Sequence, residues 1–303
     1  MTTTALPAPP RERRRGHRSH RSHYPLWFYL PAGAVYGVLF IVPTVASFYF
    51  AFTRWNMSGT EFIGLENFAL FFSEPYLFQG LVNTFVYGLL TSGLKVVLGM
   101  LLAVFLTSQI IARGYLRSVV FFPTLVSTVG VGITFTVLLD PGDGLVNQAL
   151  AAVGIAGPGW LTDPDLALIS VAFVDVWKGV GLATLIYIAG VVAIPQEYFE
   201  AAEVDGASGF QRLRHITLPL LRPATATVIV LSLIGGLRSF DLIWAMTQGG
   251  PGFTSDVVAS VIFKQYQAGF WGLSSAGNVV LFLLVAALMV PLYWKLNRKE
   301  VER

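Results

Sequence analysis

IPQEYFEAAEVDGASGFQRLRHITLPLL, residues 194–221, is a polar passage set between two long apolar runs. Its order of residues predicts a helix, a glycine stop and a second helix. Pro195 suits the first turn of a helix, where its missing N–H costs nothing. Glu197 and Glu200 favour the positive end of the helix dipole. Tyr198, Ala201, Ala202 and Asp205 share one face at helical spacing. Gly206 is a natural stop. A second short helix is expected from about Gly209 to His215, with Pro219 and Pro223 marking entry to the next apolar run. Two adjacent alanines let another protein's surface come close, and Phe199 and Phe210 are suited to fill its pockets. The passage predicts a helix–Gly–helix element lying on the face of a membrane.

The membrane follows from what flanks that passage. Of 303 residues, 54% are apolar and 12% charged, about half the charge of a soluble domain. The apolar residues cluster in runs long enough to cross a bilayer, which takes about 20 helical residues. The predicted fold is therefore all-α, a polytopic transmembrane bundle of six spans at about 26–52, 80–108, 117–139, 166–193, 222–246 and 277–296. The alternating ten-residue segments of a membrane β-barrel are absent. Residues 1–24, rich in Pro, Arg, Ser and His, read as a disordered basic tail. His17, His20 and His23 recur in it, and a solvated tail explains them better than a metal site. A second tail covers 298–303. The chain has no cysteine, which removes disulfides, thiolate catalysis and Cys-based metal sites.

Orientation follows from Lys and Arg. With the N-terminus in the cytoplasm, fifteen of the twenty basic residues lie inside and three lie within spans. Only Arg54 and Lys264 fall in the outer loops, about 53–79, 140–165 and 247–276. Both termini are thus expected to be cytoplasmic, and 194–221 becomes the longest inner loop. The scattered positive charge does not suggest a nucleic-acid partner.

Glu200, Ala201 and Ala202, then Gly206, then Ile216, Leu218 and Pro219 resemble the EAA motif of binding-protein-dependent ABC importer permeases. The string EAAEVDGASGFQRLRHITLPLLRP, residues 200–223, is similar to the maltose/oligosaccharide and glycerol-3-phosphate branch of that family. Phe62-Ile-Gly-Leu-Glu-Asn-Phe68, Phe122-Pro123, Gly144-Leu-Val-Asn147, Phe240-Asp241 and Thr247-Gln-Gly-Gly-Pro251 resemble other parts of the branch, in the same order. The resemblance covers about 25–297. It implies a six-span permease domain in the bacterial cytoplasmic membrane. Its loop couples to an ATPase through Glu200, Ala201, Ala202, Asp205, Gly206, Ala207, Ile216, Leu218 and Pro219. The implied partners are a second homologous permease, two copies of a cytoplasmic ABC ATPase, and an extracytoplasmic solute-binding protein. The implied activity is alternating access that brings a carbohydrate into the cytoplasm. No cofactor is implied for this chain, and ATP and Mg would be used by the ATPase. No Gly-x4-Gly-Lys-Ser/Thr pattern occurs, so that ATPase is expected on a separate chain.

Charges inside spans are costly and point to cavities or to pairs. Lys95 has no carboxylate in its own span. Asp175 and Lys178 are three apart, and so are Arg238 and Asp241, so each is expected to pair on one helical face. By resemblance, Gly179, Leu182, Ser232, Gly236 and Ser239 fall at the positions that contact sugar in maltose-type relatives. Asp241 and Trp244 complete the expected substrate pathway. A membrane-embedded enzyme acting on lipid or polyprenyl-linked sugar is the alternative. It would use Glu197, Glu200, Glu203 and Asp205, but no metal-ligating histidine accompanies them. A secondary transporter would show an internal repeat of spans, and none is found.

Overall fold

The computed structural model describes residues 26–56, 58–108 and 110–297. The tails predicted at 1–24 and 298–303 lie outside the described residues. The chain divides between Val45 and Ala46 into two units.

The first apolar run forms α1 (Trp27–Phe50). A short antiparallel hairpin follows, β1 (Thr53–Asn56) and β2 (Gly59–Phe62), and then α2 (Glu66–Ser73). The longest helix is α3 (Pro75–Thr107), with 33 residues. At 1.5 Å per residue it is about 50 Å long, more than a bilayer's thickness. Next come α4 (Arg113–Leu125), α5 (Thr128–Leu138), α6 (Leu145–Ala152) and α7 (Ala167–Val192). The loop of interest holds α8 (Gln196–Val204) and α9 (Gly209–Leu220). The chain ends with α10 (Arg222–Leu237), α11 (Asp241–Met246), α12 (Val258–Gln267) and α13 (Trp271–Asn297).

Among the described residues, four helices, α1, α3, α7 and α13, are each long and apolar enough to cross a membrane. The predicted total of six is reached when each of two bent pairs counts as one span. One is α4 with α5, bent by 98°; the other is α9 with α10, bent by 66°. A proline lies near each bend; proline removes a helical donor and crowds the preceding turn. Pro123 lies inside α4, just before extended Val126. Pro223 opens α10 beside Leu221, whose side chain is fully buried. The fifth predicted span, 222–246, is two helices, since the backbone leaves helical geometry at Arg238–Phe240.

The core is built on α3 and α7, the most extensively packed pair, with α10 against α3 and α4 against α7. Two missing side chains allow these crossings. A Cβ on Gly99 would stand 2.8 Å from the Ala183 Cβ, and one on Gly236 would stand 2.8 Å from the Gly88 Cα. Small residues at helix contacts are the usual route to close packing in lipid, where water exclusion supplies little drive. Two buried clusters result. One joins Tyr87, Val131, Val171, Val174, Leu242 and Ile243. The other joins Ala103, Leu106, Ala183, Tyr187, Leu221 and Val228, at the end that carries α8 and α9. On α3 and α7, the stretches between these clusters are the ones that carry charge.

Candidate functional site

The 194–221 element takes the helix–Gly–helix form that its sequence predicts, with a longer second helix. Pro195 stands at the N-cap of α8. At the other end, the Gly206 N–H donates to the Glu203 carbonyl at 3.1 Å, and the Ala207 N–H donates to the Ala202 carbonyl at 2.8 Å. These two bonds form a Schellman closure, which needs a left-handed residue between them. Gly206 supplies it at φ +75°. Two residues later Ser208 starts α9 with a capping box. The Ser208 N–H donates to Gln211 Oε1 at 2.7 Å, and the Gln211 N–H donates to Ser208 Oγ at 3.3 Å. The expected stop near His215 is absent. Leu213–Thr217 instead forms a wider π turn that carries the helix on through Pro219 to Leu220.

This element presents apolar side chains outward. Tyr198 is 54% exposed, Val204 89% and Phe210 69%. Glu200, Ala201, Asp205, Gly206 and Pro219 are exposed as well, while Ala202, Ala207, Ile216 and Leu218 are half-buried. Val204 escaped the sequence reading; it lies four residues after Glu200 and so shares its face. Among the described residues, the loop's acids do not gather with histidine into a group that could hold a metal.

A second feature lies between the two core clusters. A cavity of about 220 Å³ is walled by α3, α7 and α10, with Thr124 and Thr128 from either side of the α4–α5 bend. Of the predicted pathway residues, Gly179, Leu182 and Ser232 line it. Gly236 does not; it faces Gly88 in the helix crossing, and Gly235 takes the lining position. Ser239 is linked indirectly: its hydroxyl donates to the Tyr87 hydroxyl at 3.4 Å, and that phenol in turn interacts with Asp175. Asp241 and Trp244 are not among the lining residues. Trp244 belongs instead to an aromatic group with Phe240 and Phe263.

The charges differ from the expected arrangement. Asp175 pairs with Lys95, not with Lys178: Lys95 Nζ donates to Asp175 Oδ2 at 2.7 Å. The two residues are 80 apart in sequence, and their side chains are only 10% and 21% exposed. A lysine at the centre of a bilayer costs about 2.5–3.5 kcal/mol on insertion scales, so a cross-helix carboxylate offsets a large term. Gly179 makes the pairing possible, since a Cβ there would stand 2.8 Å from Lys95 Cε. Lys178 lines the same cavity without an ion pair among the described residues. Arg238 and Asp241 form no ion pair either; both are exposed, and the break at 238–240 ends their shared helical face.

The opposite end from α8 is tied by another buried acid. Asp256 is 1% exposed; it accepts from Lys264 Nζ at 2.6 Å and from the Ser260 hydroxyl at 2.7 Å. The Asn83 amide donates to the carbonyls of Thr254 and Asp256. Arg54, the other basic residue predicted in an outer loop, pairs with Glu66 at 2.9 Å.

A sequence profile for "Binding-protein-dependent transport system inner membrane component" matches residues 95–298, from the cavity lysine through the 194–221 element to α13. The chain belongs to that family. This transport component is 33% identical over 271 residues to the trehalose/maltose transport system permease protein MalF of Thermococcus litoralis. That match covers 89% of this chain and 92% of MalF. It is 29% identical over 265 residues to the arabinooligosaccharides transport system permease protein AraP of Bacillus subtilis, covering 86% of this chain and 84% of AraP. Its fold matches a chain of a bacterial ABC transporter involved in the import of the acidic polysaccharide alginate. The TM-score is 0.78 at 22% identity, covering 90% of this chain and 94% of that one. It also matches the alginate transporter in complex with a pentasaccharide-bound periplasmic protein, with a TM-score of 0.75 at 22% identity, over 88% of this chain and 92% of that one. At that identity the likeness speaks for the fold.

Proposed function

We propose that this chain is the translocating subunit of an ATP-driven importer for a carbohydrate, working with a second permease, two copies of a cytoplasmic ATPase and an extracytoplasmic binding protein. The observation that carries this reading is the element at 196–220. A helix locked by a Schellman closure, followed by a capped helix, holds Tyr198, Val204 and Phe210 out from the bundle. Several exposed apolar groups on one short element suit a surface that another protein covers. Glu200, Ala201, Ala202, Asp205, Gly206 and Ala207 form the part that meets the ATPase; Ile216, Leu218 and Pro219 anchor it to α10. The strong bias of basic residues toward this side makes it the cytoplasmic one. MgATP is held by the ATPase, and this chain performs no hydrolysis. The carbohydrate cargo is supported by the trehalose/maltose and arabinooligosaccharide relatives.

The mechanism is a population shift. ATP binding favours the conformation in which the paired ATPases are closed, and the coupling elements above them move together. In this chain, the 66° junction at Leu221 connects that motion to α10, one wall of the cavity. The cavity volume falls below the roughly 300–1,000 Å³ of a typical whole-ligand pocket, which fits a site completed by the second permease.

Gly206→Pro tests the coupling. Proline holds φ near −65°, whereas Gly206 has φ +75°. The variant is expected to reach the membrane and assemble but to lose uptake. Normal uptake by an assembled variant overturns the coupling assignment.

A further inference from the structure

The cavity's charges do not cancel, and this deepens the sugar-import reading on which it rests. Three ionisable side chains line the cavity: Lys95, Asp175 and Lys178. The carboxylate of Asp175 is committed, since it accepts from Lys95 at 2.7 Å and interacts with the buried Tyr87 hydroxyl. The bare Cα of Gly179 leaves room for Lys95 in that pairing. Lys178 has no such partner among the described residues, although Asp175 is only three residues away on the same helix. Its own carbonyl accepts from Thr124 Oγ1 at 2.9 Å, which fixes the backbone beside α4 at the cavity that Lys178 lines.

Lys178 has no route to a lipid headgroup. It lies near the middle of α7, with about 16 Å of helix toward Ala167 and about 21 Å toward Val192 at 1.5 Å per residue. A lysine stem reaches only a few ångströms, so snorkelling to either interface is out of range. The wall therefore presents one uncompensated ammonium among Thr124, Thr128 and Ser232, next to apolar Leu182 and Ile186. Such a wall suits a cargo that brings hydroxyls for the small polar groups and a negative charge for the lysine, through a charge-assisted hydrogen bond.

We propose that the cargo is an acidic sugar, and that Lys178 recognises its carboxylate or phosphate in the cavity. Lys95 and Asp175 are positioning residues that keep the local carboxylate away from Lys178.

The test uses the complete transporter, with both permeases, the ATPase and the binding protein, in proteoliposomes. Three labelled cargoes are offered: a uronic-acid oligosaccharide, a sugar phosphate and a neutral oligosaccharide of equal length. The native transporter should prefer one of the acidic cargoes, and which one it takes tells carboxylate from phosphate. Lys178→Gln should lower the acidic-to-neutral uptake ratio by tenfold or more, and Lys178→Arg should restore most of it. A lysine needed only for folding would lower all three uptakes in proportion and leave the ratio unmoved, which overturns the proposal. Preference for the neutral sugar, unaffected by Lys178→Gln, also overturns it while leaving sugar import intact. Transport of some non-sugar solute with no uptake of any sugar overturns the sugar reading itself.

Discussion

The element proposed to couple to the ATPase and the cavity are built by opposite means. In the element at 196–220, the bonds that define the shape join residues three to five apart: Gly206 to Glu203, Ala207 to Ala202, Ser208 to Gln211. Its surface is largely exposed, and its Arg212–Glu203 ion pair is long at 3.9 Å and open to water. In the cavity, the defining contact joins Lys95 to Asp175 across two helices, shielded from solvent. The first region is a short-range fold with exposed apolar side chains. The second exists only because α3 and α7 are already packed. Disturbing the first should impair coupling with little loss of stability, whereas disturbing the second should unsettle the bundle itself.

The largest test of that contrast is Asp175→Leu. It leaves Lys95 uncompensated, and removing one partner of a buried ion pair costs about 3–5 kcal/mol. The variant should show a markedly lower thermal midpoint in detergent, and Lys95→Met added to it should recover most of the loss. A silent single variant would mean that the pair is solvated and structurally idle.

Ser208→Ala removes the cap of α9 and should cost about 1 kcal/mol locally. Faster hydrogen exchange at 209–212 with an unchanged global midpoint is the expected pattern; a global shift would erase the distinction between the regions. Arg212→Ala should be close to neutral in both stability and uptake, because exposed pairs contribute little.

Much of the coupling element was legible in the chain order. Pro195 and Gly206 act on immediate neighbours, so their effects are readable without a fold, whereas the Ser208–Gln211 capping box emerged only from the structure. The π turn at 213–217 was not, because the helix continues there against the pattern that Gly209–His215 suggests. The six-span count held once bends were allowed, and the prolines near them were visible, but their angles were not. At the cavity, Gly179, Leu182 and Ser232, which were named by resemblance alone, are lining residues. Gly236 lies instead at a helix crossing, against Gly88.

The charges show where reading along the chain stops. Sequence spacing suggested Asp175 with Lys178 and Arg238 with Asp241, because only neighbours on one helix can be judged that way. The structure pairs Asp175 with a lysine 80 residues away and breaks the helix between Arg238 and Asp241. Composition and hydropathy determined that this chain crosses a membrane, and local capping signals determined the shape of its coupling element, because both depend on residues close in sequence. Which charges meet, and which lysine is left facing the cavity, was decided by the packing of α3 on α7. Long-range electrostatic partners are chosen by distance in space, which no linear pattern encodes.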